Sequence, residues 1–241
     1  MLKSIFRISM FVWTIATVII CSVFAQPMSN TVNVVGEMKN VMRKGQLHGN
    51  IYLDTISNKK NLYGLGPVEY LAGEIIIIGG HSYISTVLSD SDMLVEETYE
   101  IKAPFFGYAN IGEWLELDLP YDVQTIEQLE MFLDKNTKSS PRPFMFKLSG
   151  IVEHASIHIV NLPKGTKVSS PEEAHKGLVS YTLNNEASDI IGFFSTDHKT
   201  IFTHHDTYLH MHLITADRLK MGHLDEVILG KGSIKLYLPV E

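Results

Sequence analysis

Glu74 and the four isoleucines Ile75, Ile76, Ile77 and Ile78 run into Gly79-Gly80 and then into Ser82, Tyr83, Ile84, Thr86, Val87 and Leu88. β-Branched residues lose side-chain freedom in a helix and pack well on a pleated surface, and a Gly-Gly link accepts the positive φ angles of a two-residue turn. The segment therefore predicts a β-hairpin, which commits this part of the chain to antiparallel pairing.

The same rules place the other elements. Val34, Met38, Val41 and Met42, with Lys39, Arg43 and Lys44 between them, predict an amphipathic helix over 30–47 lying on a sheet. Strands are expected at 97–101 and 114–119. Thr125 and Gln128 form a capping box that opens a helix burying Ile126, Leu129, Phe132 and Leu133. The polar stretch 136–143, with Pro141 and Pro143, resists both helix and sheet and marks a boundary between two halves. Beyond it, 144–148 and 151–160 around Ser149-Gly150 predict a second hairpin. Ser170, Pro171 and Glu173 then start a short helix, and strands are expected at 177–183, 190–195 and 233–238. Strands outnumber helices. The expected fold class is α/β with α+β character, a two-domain arrangement of mixed or antiparallel β-sheets packed together with few helices.

The N-terminal segment has the character of an export signal. Lys3 and Arg7 precede an apolar run over 8–25 that ends at small residues, Ser22 and Ala25, so cleavage is expected after Ala25 and the protein is expected to be secreted or periplasmic. An uncleaved anchor is the alternative for a run of this length. Cys21, the only cysteine, lies inside the segment, so the mature chain has no disulfide or thiol chemistry. The formal charge of −7 becomes minus nine once Lys3 and Arg7 are removed, a surface that disfavours nucleic acid and anionic membrane.

In 208–215 a strand period of two sends Tyr208, His210, His212 and Ile214 to one face and Leu209, Met211 and Leu213 to the other. Two imidazoles on one face, with His223 shortly after, suit Zn²⁺, Fe²⁺, Cu²⁺ or Ni²⁺. Three protein ligands leave a fourth position open for water or substrate, which favours a catalytic over a structural site. The expected divisions are thus a secretory signal segment at 1–25, an N-terminal sheet domain with helices at 30–138 and a C-terminal metal-binding sheet domain at 139–241. Glu74, at the head of its isoleucines, is either an inward carboxylate needing a charged partner or a solvated strand start. His154 and His158 share a strand face and read as structural or surface residues. His81 reads as a polar strand residue, and His204-His205-Asp206 as a solvated loop.

Leu62-Tyr63-Gly64-Leu65-Gly66 and Leu71-Ala72-Gly73-Glu74, with Gly80 and Tyr83, resemble the G-x-G to L-D-G-E segment of the acetolactate decarboxylase family. Gly192-Phe193-Phe194, the run 208–218 with Thr215, Asp217 and Arg218, and Gly222-His223 resemble that family's G-F-R, H-L-H-F-L-T-E-D-R and G-G-H stretches in order and spacing. The resemblance covers the chain from about Gln46 onward. It implies a two-domain α/β fold of packed sheets, a secreted homodimer, and zinc held by His210, His212 and His223. Glu74 would be the carboxylate that handles protons, and the reaction would be loss of CO₂ from 2-acetolactate to give acetoin. Zinc chelating the substrate's hydroxyl and carbonyl oxygens would act as a Lewis acid.

Two departures accompany it. Lys147 stands where the family usually has arginine, and as a point charge it still donates to a carboxylate, so it is a candidate catalytic residue beside Glu74. After Glu241 the family generally continues into a tail carrying another acidic residue, for which Glu241 could substitute. These departures motivate a second reading, a secreted metal-binding homologue with weak or no turnover. A cupin-like metal oxygenase is a third, since Asp217 follows the H-x-H pair, although the long helix before Lys138 is unusual for that barrel.

Overall fold

The computed structural model describes residues 30–199, 201 and 207–240. The signal segment, the His204-His205-Asp206 loop and Glu241 lie outside the described residues. Among the described residues no helix is long and apolar enough to cross a membrane.

Two six-stranded sheets carry the structure. The first has the order β1 (Asn33–Val35), β8 (Phe106–Asn110), β3 (Leu62–Pro67), β4 (Glu74–Ile78), β5 (His81–Val87) and β6 (Met93–Glu97). The second runs β11 (Val179–Phe194), β12 (Leu209–Thr215), β13 (Met221–Leu229), β10 (Phe144–Ile159), β14 (Lys235–Pro239) and β9 (Trp114–Asp118). A small ribbon pairs β2 (Ile51–Tyr52) with β7 (Lys102–Ala103). The helices are α1 (Met38–Lys44), α2 (Ile126–Asn136) and the single turn α3 (Pro171–Ala174). All pairings are antiparallel, as expected for a β-rich α+β fold.

The second sheet closes on itself, because β10 pairs with both β11 and β13 while β12 bridges those two. One of its faces buries Phe146, Leu148, Ala155, Ile157, Met211 and Leu213 together with Leu129 and Leu133 of α2. Its other face presents Met145, Ile191, Phe193, Ile214 and Met221 to Tyr63, Leu65, Ile76 and Ala109 of the first sheet. That shared apolar layer locks the sheets together. Both β9 and α2, which precede residue 139, pack with the second sheet.

The hairpin of β4 and β5 forms as read, with Gly79 at φ 59 and Gly80 at φ 94. Thr125 and Gln128 complete their capping box, and Ser170 caps α3, although Glu173 reaches back to Ser169 rather than to Ser170. Elsewhere tertiary structure overrode the local reading. The 30–47 helix is only α1, preceded by β1. Gly36, at φ 71, is left-handed and so cannot belong to a right-handed helix, and left-handed Gly45 ends α1. The turn at Ser89 to Asp92 is tight, so β6 begins at Met93 rather than at 97. The predicted turn at Ser149-Gly150 is not a turn. β10 runs on for 16 residues paired with an equally long β11, which also absorbs the two strands expected at 177–183 and 190–195. Gly150 serves there as a close-approach point, since an added Cβ would collide with the Ser233 carbonyl oxygen.

Candidate metal centre

β12 is fully buried, and its alternation does what the sequence implied. Met211 and Leu213 enter the α2 core, while His210 and His212 turn to the face shared with the first sheet. The third histidine arrives by hairpin arithmetic. The Thr215 amide donates to the Lys220 carbonyl, the Thr215 hydroxyl to Asp217 Oδ1 at 2.6 Å, and the Arg218 amide returns to the Thr215 carbonyl. This tight turn, with Arg218 at φ 63 and its guanidinium on Asp189 at 2.9 Å, sets His212 directly opposite His223 across β12 and β13. The ten residues between these histidines are therefore a turn and its two flanks.

The three imidazole centroids form a triangle with sides of 5.1, 5.3 and 5.4 Å. Their ligand nitrogens lie within 4.8 Å of one another, and all three residues are buried. A cluster of three buried imidazoles with no cysteine suits a divalent, borderline-soft ion, so the residues fit the metal that the sequence suggested.

Glu74 comes from the opposite sheet. Because Ile75 and Ile77 pack on the outer core of the first sheet, Glu74 and Ile76 face inward, and Glu74 as a residue is 3% exposed. Its Oε2 lies 3.6 Å from His212 Nε2, and its Oε1 accepts the Val160 amide at 3.2 Å. Burial pushes this carboxyl well above the usual carboxylate range. The Val160 hydrogen bond opposes that rise, and nearby Asp225 adds to it. The inward reading of Glu74 is the one the structure takes.

His158 joins this group. Its sequence context suggests a structural or surface residue, but the pairing of β10 with β13 places it directly opposite His223, with ring centroids 4.7 Å apart. Its Nδ1 donates to both Asp225 oxygens at 2.7 and 2.9 Å. His154, by contrast, hydrogen-bonds Asn184 away from the cluster. Glu74, His158, His175, His210 and His223, with Met38, Met42 and Phe105, enclose a chamber of about 30 Å³, room for one water-sized group. A larger cavity of about 270 Å³ lies against the same His210 and His223 and is also lined by Asp225, Glu127 and Thr207.

Lys147 does not line either space. It sits in the row Lys147, Ile191, His212 across β10, β11 and β12, and its ammonium turns the other way, 4.0 Å from the Tyr237 ring on β14. Partial burial lowers its pKa, with Asp189 and Glu116 opposing. Asp217, the acid of the cupin-like reading, is absorbed by the hairpin turn. His158 escaped the sequence reading because only the register of β10 against β13 brings it to His223, and His175, at the end of α3, reaches the cluster through its ring contact with His158. Asp225, two residues beyond His223 on β13, was missed although it lies close in sequence. For His158 the one local signal was the strand face it shares with His154.

A family model for alpha-acetolactate decarboxylase matches residues 35–238. The chain belongs to the alpha-acetolactate decarboxylase family. This family member is accordingly an enzyme of the carboxy-lyase type, in a metal-dependent family. Its fold matches acetolactate decarboxylase from Bacillus subtilis subspecies spizizenii with a TM-score of 0.73 at 19% identity, covering 87% of this chain and 86% of that one. Alpha-acetolactate decarboxylase from Bacillus subtilis strain 168 gives 0.69 at 19% over the same shares of each chain. A Staphylococcus aureus protein described as similar to alpha-acetolactate decarboxylase gives 0.68 at 14%, again covering 87% and 86%. No curated protein matches the sequence significantly.

Proposed function

We propose that this enzyme decarboxylates 2-acetolactate to acetoin and CO₂, with His210, His212 and His223 holding Zn²⁺ and Glu74 supplying the proton. The observation that carries this reading is the buried Glu74 carboxyl set against the histidine triad.

The substrate has a ketone β to its carboxylate, so the C–C bond electrons left by departing CO₂ move onto the ketone oxygen as an enolate, and the product requires one proton on the carbon that lost CO₂. Zinc, when bound, supplies a Lewis acid for the charge that develops on oxygen. Burial raises the Glu74 carboxyl well above the usual carboxylate range and so favours its protonated form, and the Val160 amide fixes Oε1, leaving Oε2 on the triad side to carry the proton. Glu74 gives that proton to carbon and regains one from solvent. Met38, Met42 and Phe105 wall the chamber, keep water from competing and strengthen each polar contact inside. His210 and His223 line both spaces, so a substrate body in the larger cavity brings its oxygens to the triad.

We also propose export with cleavage after Ala25, supported by the N-terminal sequence pattern, and no nucleic-acid partner, supported by the acidic charge balance, while a homodimer follows from the family resemblance alone. N-terminal sequencing and light scattering on the mature protein check the cleavage and the dimer.

The deciding experiment measures CO₂ and acetoin release from racemic 2-acetolactate by the mature protein, with metal analysis in parallel and His210→Ala as control. Zinc-dependent acetoin formation, lost in the variant, is expected. Bound zinc with acetoin no faster than the spontaneous rate would sink the decarboxylase reading and favour the weak-turnover homologue.

A further inference from the structure

His158 is held firmly in place beside the histidine triad. Its side chain is 10% exposed, and Asp225 accepts from Nδ1 through both carboxylate oxygens. A carboxylate on Nδ1 fixes the proton there, locks the ring orientation and strengthens Nε2 as an acceptor. Among the described residues Nε2 makes no hydrogen bond to protein, although the residue lines the chamber holding Glu74, His210 and His223. An acceptor without a protein partner, on a mostly buried ring that lines the chamber, is open to a bond from a molecule bound there.

We propose that His158 Nε2 accepts the hydroxyl proton of a 2-hydroxy-3-oxo acid, making His158 the residue that selects a hydroxylated substrate. This rests on the decarboxylase reading for the class of acid. Of the three oxygen groups on such a substrate, the carboxylate departs, so holding it tightly would stabilise the ground state alone. The ketone has no proton to give an acceptor. The hydroxyl persists from substrate to product, donates one hydrogen bond, and is small enough for a chamber of about 30 Å³ while the remainder occupies the larger cavity. A site built around a hydroxyl discriminates strongly against an analogue without one, because its buried acceptor is then left unpaired.

The test titrates the zinc-loaded mature protein by calorimetry with 2-hydroxyisobutyrate and with trimethylacetate, acids that differ only by hydroxyl against methyl. The preference of wild type for the hydroxy acid is expected to fall about 10- to 100-fold in His158→Leu and by less in His158→Gln, whose amide oxygen still accepts. Zinc content and thermal melting are expected to stay at wild-type values in at least the Gln variant. An unchanged preference, equal weakening of both acids, failure of wild type to bind either, or loss of zinc would each overturn the assignment. Acetoin release by wild type, followed in the same preparations, judges the decarboxylase reading separately. Its absence alongside an intact hydroxyl preference removes the reaction and keeps His158.

Discussion

At the scale of single residues, the chemistry is concentrated in groups that burial has changed. Desolvation is the main cause that raises the Glu74 carboxyl, so its contribution to folding stability is fully present below the ordinary carboxylate pKa and is lost as pH rises toward the raised folded value. In metal-free protein, wild type is expected to lose stability relative to Glu74→Gln over that rise, read from denaturation curves at a series of pH values. Parallel curves would show a carboxyl that ionises as easily folded as unfolded. The same variant, loaded with zinc, is expected to lose activity by about 10²- to 10⁴-fold, the range of a missing general acid. Lys147 makes the opposite case. Its ammonium packs on Tyr237 rather than on the chamber, so Lys147→Met is expected to leave acetoin release unchanged. A collapse of turnover with zinc retained would return Lys147 to the site. Part of the residue scale was legible in sequence, since the alternation at His210 and His212 follows from a period of two, whereas for Glu74 the residues left inward and solvated readings open and only the family resemblance favoured the first. His158 was not legible, because a histidine near a strand end looks the same whether it meets water or another histidine.

At the scale of elements, register carries the site. Thr215 is 2% exposed and ties its own hairpin shut through Lys220 and Asp217. Thr215→Val is expected to cost about 1 kcal/mol in denaturant unfolding and to weaken zinc retention, because the turn sets His212 against His223. Zinc held as in wild type would show that the register is fixed elsewhere. Gly150 tests the long hairpin of β10 and β11, for its φ of 148 and the Ser233 carbonyl leave no room for a side chain. Gly150→Ala is expected to cost about 2 kcal/mol or more in the same assay, and a neutral result would return Ser149-Gly150 to the status of an ordinary turn. Local signals succeeded wherever an element's ends were chemically marked, as at Gly79-Gly80, Thr125 and Ser170. They failed at 149–150, where a glycine that usually ends a strand was instead required by a neighbouring backbone.

At the scale of the whole molecule, the centre exists only because two sheets meet. Glu74 arrives on the first and the histidines on the second, and the layer joining them includes Ile76, two residues from Glu74, packed with Met145, Ile191 and Phe193. Ile76→Ala is expected to cost about 2–5 kcal/mol, measured by urea unfolding. A loss within the noise would mean that the sheets are held together chiefly by other contacts. The sequence by itself determined the strand content, the hairpin at β4 and β5, the capped α2 and the pairing of two histidines on one strand face, because these depend on side-chain periodicity and on residues a few positions apart. Tertiary structure alone decided that β10 and β11 run unbroken, that the second sheet closes so that His158 meets His223, and that Glu74 faces His212. Those outcomes depend on contacts between residues dozens of positions apart, whose geometry is fixed by which sheet faces can bury one another.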